Sequence, residues 1–359
     1  MGRSGFPPDA DGPAPMHFPA RHTLATALPL AVAWGLWHAP QTGWFVMLGV
    51  QLAIAALELL PALRRSAPAE PFGTWHRALL RLHAPLQAGL LVLGVFVVLR
   101  PGEGYTTAVL AGLAVGGVTG ALGITFAHEL GHSRARTDRV LAWLLMGSVL
   151  YAHFMVEHYR GHHPRAATDE DPASARRGES VWRFLPRTVV GGWRSAWSLE
   201  AAQLQRLGRG WLRSPLAWAS AVQAGGLVVL ALAWGPEALL FWIAQAAYAV
   251  LLLETINYIE HYGLRRGRIG GRLEPFSVGH AWNADHALSN ALLVNLQRHS
   301  DHHMHAWKPY ATLQPLPGPQ LPTGYSGCLF LAWVSPLWLR VMEPRLTAAL
   351  CSPAPRSGS

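Results

Sequence analysis

The chain has 359 residues, of which 51% are hydrophobic and only 14% charged, and it holds sixteen tryptophans and 36 glycines. This excludes an ordinary pair of soluble domains, where roughly 25% of residues are charged, and suits a membrane protein, in which Trp and Gly are both enriched. The net charge of +9 sits on arginines placed between apolar segments, Lys308 being the only lysine, which excludes a separate basic module for nucleic acid.

Residues 1–20, "MGRSGFPPDADGPAPMHFPA", are rich in Pro and Gly and read as a disordered tail. They hold no apolar core followed by a small-residue cleavage site, so they are not a signal peptide. Residues 347–359 read as a second disordered tail, which leaves one domain over 21–346. Within it, six apolar segments predict transmembrane helices: 23–39, 43–63, 79–99, 105–127, 216–234 and 238–260. The connections "APQT" (39–42) and "GPEA" (235–238) carry no Lys or Arg, and "RPGEG" (100–104) carries only Arg100. The opposite side holds Arg64, Arg65, Arg77 and Arg81, thirteen arginines over 133–215, and Arg265, Arg266 and Arg268. The positive-inside rule then places both termini and the long connections in the cytoplasm. Inside the longest connection, "VLAWLLMGSVLYAHFMVEH" (140–158) is apolar enough to dip into or lie on the membrane. "GWRSAWSLEAAQLQRLGRGW" (192–211) has the pattern of an interfacial amphipathic helix.

The eighteen histidines are unevenly spread. His128 and His132 come in "HELGH" at the end of the fourth segment, and His158, His162 and His163 in "EHYRGHH". His261 comes in "NYIEHYG" at the end of the sixth segment, and His299, His302 and His303 in "NLQRHSDHHMHAW". Spacings of three and four put two or three imidazoles of a cluster on one helical face. The topology brings all four clusters to the same side of the membrane at similar depth, where ionisable groups are costly and mark function. Nine imidazoles are too many for one metal ion and enough for two, at four or five each. Neutral nitrogen donors suit Fe, Zn, Cu or Ni without choosing among them.

His17, His22, His38, His76 and His83 have no partner at helical spacing and read as ordinary hydrogen-bonded histidines. His153, His280, His286 and His305 lie between the two classes, and His286 in "WNADHALSN" rivals His261 as a ligand. The carboxylates beside the clusters are Glu129, Glu157, Glu260 and Asp301. They are expected to point away from the metals and orient imidazoles through the second ring nitrogen, or else to solvate helix ends. "HELGH" also satisfies H-E-x-x-H, the zinc-protease helix with Glu129 as base, but that site leaves seven clustered histidines without a role. A metal carrier would string its sites along a path through the membrane, whereas these gather at one end.

The four motifs "HELGH", "EHYRGHH", "NYIEHYG" and "LQRHSDHH" resemble those of the bacterial membrane alkane monooxygenases, which sit with the membrane fatty-acid desaturases and hydroxylases. "EDPASARRGES" (170–180) and "LPTGYSG" (321–327) match the same branch, and the likeness spans about residues 20–345. The resemblance implies an all-α integral membrane fold in the bacterial inner membrane. Six transmembrane helices would carry a cytoplasmic-side helical cap holding a histidine-rich dimetal site, two non-haem Fe ions without a bridging carboxylate. It carries His128, His132, His158, His162, His163, His261, His299, His302 and His303 over as the ligands.

The reaction implied is O₂-dependent terminal hydroxylation of medium- to long-chain n-alkanes to primary alcohols. Electrons would come from rubredoxin, reduced by an NAD(P)H-dependent rubredoxin reductase. Methyl groups on aromatic rings, as in xylene, and fatty acids are the alternative substrates. Tyr159 stands where that family's second box has Asn, and Ser133 where Lys follows the first, which leaves the substrate range open. Cys328 and Cys351 are far apart and make no rubredoxin-like pair, so the donor binds from solution. The arginine-rich side suits a small acidic protein or anionic lipid.

If the fourth segment is one continuous helix, Gly117, Ala121 and Ile124 form a stripe ending at His128, with Ala121 about 10 Å and Gly117 about 16 Å below it. Ala53, beside Ile54, Ala55 and Ala56 in "QLAIAALE", offers a second wall with no aromatic plug. Small residues there leave room for an extended substrate. The alternative is close helix packing, which Gly112, Gly116 and Gly120 on an adjacent face suggest.

Overall fold

A computed structural model describes residues 21–351; the tail expected at 1–20 and residues 352–359 lie outside the described residues. Three helices are long and apolar enough to cross a membrane: Thr74–Val98, Tyr105–His132 and Pro215–His261. The first two expected segments form the shorter apolar helices Leu24–His38 and Gly43–Leu57, of 15 residues each. Each is about 22 Å long, less than the ~30 Å of a hydrocarbon core. The second was expected to run to residue 63. It stops at Leu57 because Glu58 is fully buried there, its carboxylate accepting from Ser289 N (2.6 Å) and Ser289 Oγ (2.9 Å).

The Tyr105–His132 helix is central, with 78% of its most apolar stretch buried against 11% for Pro215–His261. A Cβ added at Gly112 would stand 2.6 Å from Phe241 O, at Gly116 2.7 Å from Gln245 O, and at Gly120 2.8 Å from the Ala249 Cα. Both series ascend by four, so the two helices run parallel along a seam where their backbones nearly touch. The packing suggested by these glycines is what the structure shows.

Pro215–His261 is not a single rod. Only Gly235 leaves the helical conformation, at φ 81° and ψ −179°, a backbone state that glycine alone adopts freely. Gln223 Nε2 donates to Gly147 O at 3.1 Å and Gln245 Nε2 to the adjacent Ser148 O at 2.8 Å. In a straight helix those glutamines would lie about 33 Å apart. The chain therefore folds back at Gly235 into two arms, which are the expected segments 216–234 and 238–260. "GPEA" is not a loop, since one residue makes the reversal and helix resumes at Pro236.

Because the second arm runs parallel to the central helix, Gly235 lies at the end where that helix begins and His261 at the end where it finishes. The first end also holds Arg100, whose Nη1 donates to Trp37 O at 2.8 Å with its guanidinium 4.1 Å from the Trp37 ring centroid. The second end collects arginines, such as Arg81 paired with Asp138 at 2.6 Å, and all the clustered histidines.

The stretch expected over 140–158 is broken. Helix Arg136–Ser148 ends in a turn with Leu150 at φ 57°, and helical structure resumes over 154–165. The amphipathic helix is longer than expected at its start, spanning Val181–Arg206, with the Ser180 side chain accepting from Arg183 N. It buries Phe184, Thr188, Gly192 and Ala196 on one stripe and leaves Trp182, Val190 and Trp193 exposed. Residues 347–351, expected in the C-terminal tail, are the last turn of helix Ser335–Cys351. The Ala-Ala-Leu run there supports helix as well as it fits a tail.

Candidate metal centre

Four pieces of chain deliver histidines to one place: the end of the central helix, segment 154–165, the end of the second arm, and the short helix His299–Met304. Their ring nitrogens form two groups. One contains His128, His132, His158, His163 and His302; the other contains His162, His261, His299 and His303. Within each, the donor atoms lie within 4.8 Å of one another. The nine are divided five and four.

Membership does not follow the expected i, i+4 faces throughout. His128 and His132 share a group, as do His299 and His303, but His158 pairs with His163 and not with His162. The reason is a turn of π-helix over His158–His162. Its wider turn puts residues five apart in line, so His158 Nε2 and His163 Nε2 come within 3.0 Å. Across the other group His261 Nε2 and His299 Nε2 approach to 3.1 Å. The groups are neighbours, with the rings of His163 and His303 4.5 Å apart.

These residues fit metal ions. Nε2 of His128, His132, His162, His302 and His303 is buried with no hydrogen-bond partner, a state that is costly for a polar atom unless something else satisfies it. Burial, reinforced by neighbouring imidazoles, holds His302 and His303 well below the usual histidine range. Both are therefore neutral and offer a lone pair, as a ligand must. His162 is opposite in sign: burial is the largest single influence and lowers it, but Asp171, with Glu157 and Glu254 behind it, carries the net direction upward. Asp171, against its own burial, is drawn down to about 2 by that contact.

The adjacent carboxylates do not act as a set. Glu260 Oε1 lies 3.2 Å from His299 Nδ1, within ion-pair distance but without the hydrogen bond expected of an orienting carboxylate. Glu129 accepts instead from Tyr310 N at 3.0 Å, Glu157 pairs with Arg165 at 2.9 Å, and Asp301 holds His305 and Lys308. These three face neighbouring loops because the histidines occupy the inner faces of their helices. The orienting carboxylate not anticipated is Asp171, 2.9 Å from His162 Nδ1. Tyr325 adds a further partner, donating to Glu260 at 2.6 Å. Both residues sit in the two secondary motifs, "EDPASARRGES" and "LPTGYSG", which was the available signal.

His261 joins the second group, whereas His286 joins neither. Of the histidines read as ordinary, His22 meets Ala291 O at 3.1 Å and His83 meets Gln87 at 3.2 Å. Tyr159 donates to His128 O at 3.0 Å and packs its ring 4.7 Å from that of His132. A Cβ at Gly131 would overlap the Tyr159 hydroxyl, so the glycine of "HELGH" makes room for the tyrosine. Glu129, turned to Tyr310, is not placed to serve as a protease base.

An apolar cavity adjoins the histidines. His128, His158 and His299 bound it, and Met47, Ile54, Ala121, Ile124 and Leu329 are among its walls. Two of the four expected lining residues, Ala121 and Ile124, are there. Gly117 is not, since its Cβ position lies 2.7 Å from the Met47 side chain. The central helix contains a π-turn over Thr119–Ile124, so positions before it are rotated about 100° from a continuous-helix count. Ala53 is exposed on the outside of its helix, and its neighbour Ile54 faces the cavity.

Comparison with known proteins agrees with this geometry. The fatty acid desaturase family model matches residues 104–323. Alkane 1-monooxygenase 2 of Pseudomonas aeruginosa is 37% identical over 336 residues, covering 89% of each chain. Alkane 1-monooxygenase of Pseudomonas putida is 37% identical over 339 residues, covering 90% of this chain and 84% of its own. The xylene/toluene monooxygenase hydroxylase component of P. putida is 28% identical over 334 residues, with 89% and 87% covered. The helices, the two histidine groups and these relatives together make the chain a member of the fatty acid desaturase family and, within it, of the alkane 1-monooxygenases.

Proposed function

We propose that this chain hydroxylates the terminal methyl group of medium- to long-chain n-alkanes, with two non-haem iron ions held by the nine clustered histidines. The overall change is R–CH₃ + O₂ + 2 e⁻ + 2 H⁺ → R–CH₂OH + H₂O. The observation that carries this reading is the convergence of nine buried imidazoles, five and four, beside an apolar cavity. Iron bound there supplies the activation of O₂ that an unreactive C–H bond requires. The protein does the rest. Met47, Ile54, Ala121 and Ile124 exclude water and align an alkyl chain towards His128 and His158. Asp171 accepts from His162 Nδ1, which leaves its Nε2 for metal.

The same reading has six passes through the bacterial inner membrane: the two short helices, Thr74–Val98, the central helix and the two arms. The arginine-rich end with the histidines would face the cytoplasm, where rubredoxin delivers electrons from its reductase. Metal analysis of the purified protein, paired with octane and hexadecane turnover in the presence of rubredoxin and reductase, tests it. Two irons are expected, one for each histidine group, with 1-octanol or 1-hexadecanol as product. A preparation active with zinc alone would end the diiron reading, and turnover of p-xylene but neither alkane would move the substrate to aryl methyl groups.

A further inference from the structure

A second, smaller cavity lies between residues 151–158, helix Val181–Arg206 and the second arm, and Phe154, His158 and Asn257 border it and the apolar cavity alike. The two differ in lining. The small one is bordered by Tyr151, His153, Glu157, Thr188 and Glu254 as well as by His162. Two of these residues carry a buried polar atom with no partner and no part in holding metal, His153 Nε2 and Glu157 Oε2. Unpartnered polar atoms around one enclosed space call for water there.

Glu254 is the notable group. It is 3% exposed and accepts hydrogen bonds from Tyr151 Oη at 2.8 Å, Thr188 Oγ1 at 2.8 Å and Asn257 Nδ2 at 3.1 Å. Among the described residues no cation lies within ion-pair distance of it. A carboxyl placed inside an apolar arm with only neutral donors is costly to keep and marks function more often than packing. At the cavity's other edge, Glu157 pairs with Arg165 at 2.9 Å. Arg165 also donates to Ser195 at 2.7 Å, and its side chain is 28% exposed, so the partner of Glu157 reaches solvent.

Alkane hydroxylation, on which this inference rests, takes up two protons per turnover, and the small cavity has the higher share of polar and titratable side chains in its lining. We propose that the small cavity is a hydrated antechamber delivering those protons, with the Glu254 carboxyl as the carrier. Glu254 gives its proton to cavity water on the histidine side and regains one from water arriving past Arg165 and Ser195. Each passage moves one proton and leaves the carboxyl as it began. The electrons arrive separately from the soluble donor protein. The substrate and the protons thus approach the histidines from two cavities separated by Phe154, His158 and Asn257.

The test uses the full-length protein in lipid nanodiscs. Hydroxyl-radical footprinting of the metal-free protein should label Tyr151 and His153 well above Tyr258, which is fully buried away from this cavity. Labelling no faster than Tyr258 shows a dry cavity and overturns the proposal. In the iron-loaded enzyme, Glu254→Gln should keep iron content and the KM for octane, cut kcat by about tenfold or more, and raise the solvent deuterium isotope effect on kcat. Glu254→Asp, which keeps the acid and loses reach, should recover part of that rate. If Gln outperforms Asp, or Gln loses iron, the carboxyl serves only shape, and the proposal fails. Unchanged kcat and isotope effect in Glu254→Gln would overturn it equally. Failure of the wild type to oxidise any alkane would instead sink the functional reading, and the footprint would still report the hydration.

Discussion

The two histidine groups look alike in composition and differ in what stands behind them. The second has Asp171 on His162 and Glu260 beside His299. Among the described residues, none of the five imidazoles of the first has a carboxylate within 4.0 Å. The first group also gives the apolar cavity two of its three bordering histidines, His128 and His158. One ion would therefore sit among imidazoles without carboxylate partners next to substrate, and the other beside His162, which Asp171 holds. The lesson is that two sites built from the same ligand can be tuned apart entirely by their surroundings.

The largest test separates the groups at adjacent residues. His302→Ala and His303→Ala should each cut alkane turnover by more than about 100-fold, beyond the range for outer hydrogen-bond partners. Metal analysis should show each losing iron chiefly from its own group. If either variant empties both groups equally, the two sites are one cooperative unit. Next, Asp171→Asn should weaken only the second site, by roughly 10–100-fold in affinity as read by chelator competition. Equal weakening of both would erase the distinction drawn from Asp171. Smaller still, Glu129→Ala removes a hydrogen bond to Tyr310 N and no imidazole partner. It should lower stability by about 1–3 kcal/mol in a denaturant melt while sparing turnover to within about tenfold. Loss of a peptidase activity in that variant would revive the zinc-protease reading. The smallest effect concerns selectivity. Ala121→Phe should depress hexadecane more than octane, whereas Ala53→Trp, on the outer surface, should alter neither ratio. Proportional loss of both substrates in Ala121→Phe would mean damaged packing and not a shortened cavity.

Much of this was legible in the residues. The nine histidines stand out by spacing, and a division of four or five to a group was the expectation from their number. The Gly112, Gly116 and Gly120 seam follows from i, i+4 spacing of residues with no side chain. What spacing could not show is which group each histidine joins, because the π-turn over His158–His162 has no sequence mark as plain as a proline. The same blindness misplaced Gly117 through the turn over Thr119–Ile124, and a run of small residues in "QLAIAALE" could not by itself tell Ile54, which faces the cavity, from Ala53, which does not. Asp171 was missed because nine residues and a change of direction separate it from His162 in the chain. The single-residue reversal at Gly235 was also out of reach, since "GPEA" reads equally as a short loop.

The two π-turns bear on how this protein can change over generations. Each is a regular helix that has accepted one residue more than the α-ladder holds. Losing a residue inside Thr119–Ile124 would restore the ordinary ladder and swing His128 by about 100° relative to the Gly112–Gly120 seam. A deletion within His158–His162 would do the same to His163 relative to His158. Heredity must therefore preserve a residue count here as well as residue identities. Codon loss or gain in these two stretches should be far less tolerated than missense change at the cavity wall. A library of single-codon deletions across 105–165, scored for growth on an alkane, would display that as two narrow forbidden windows.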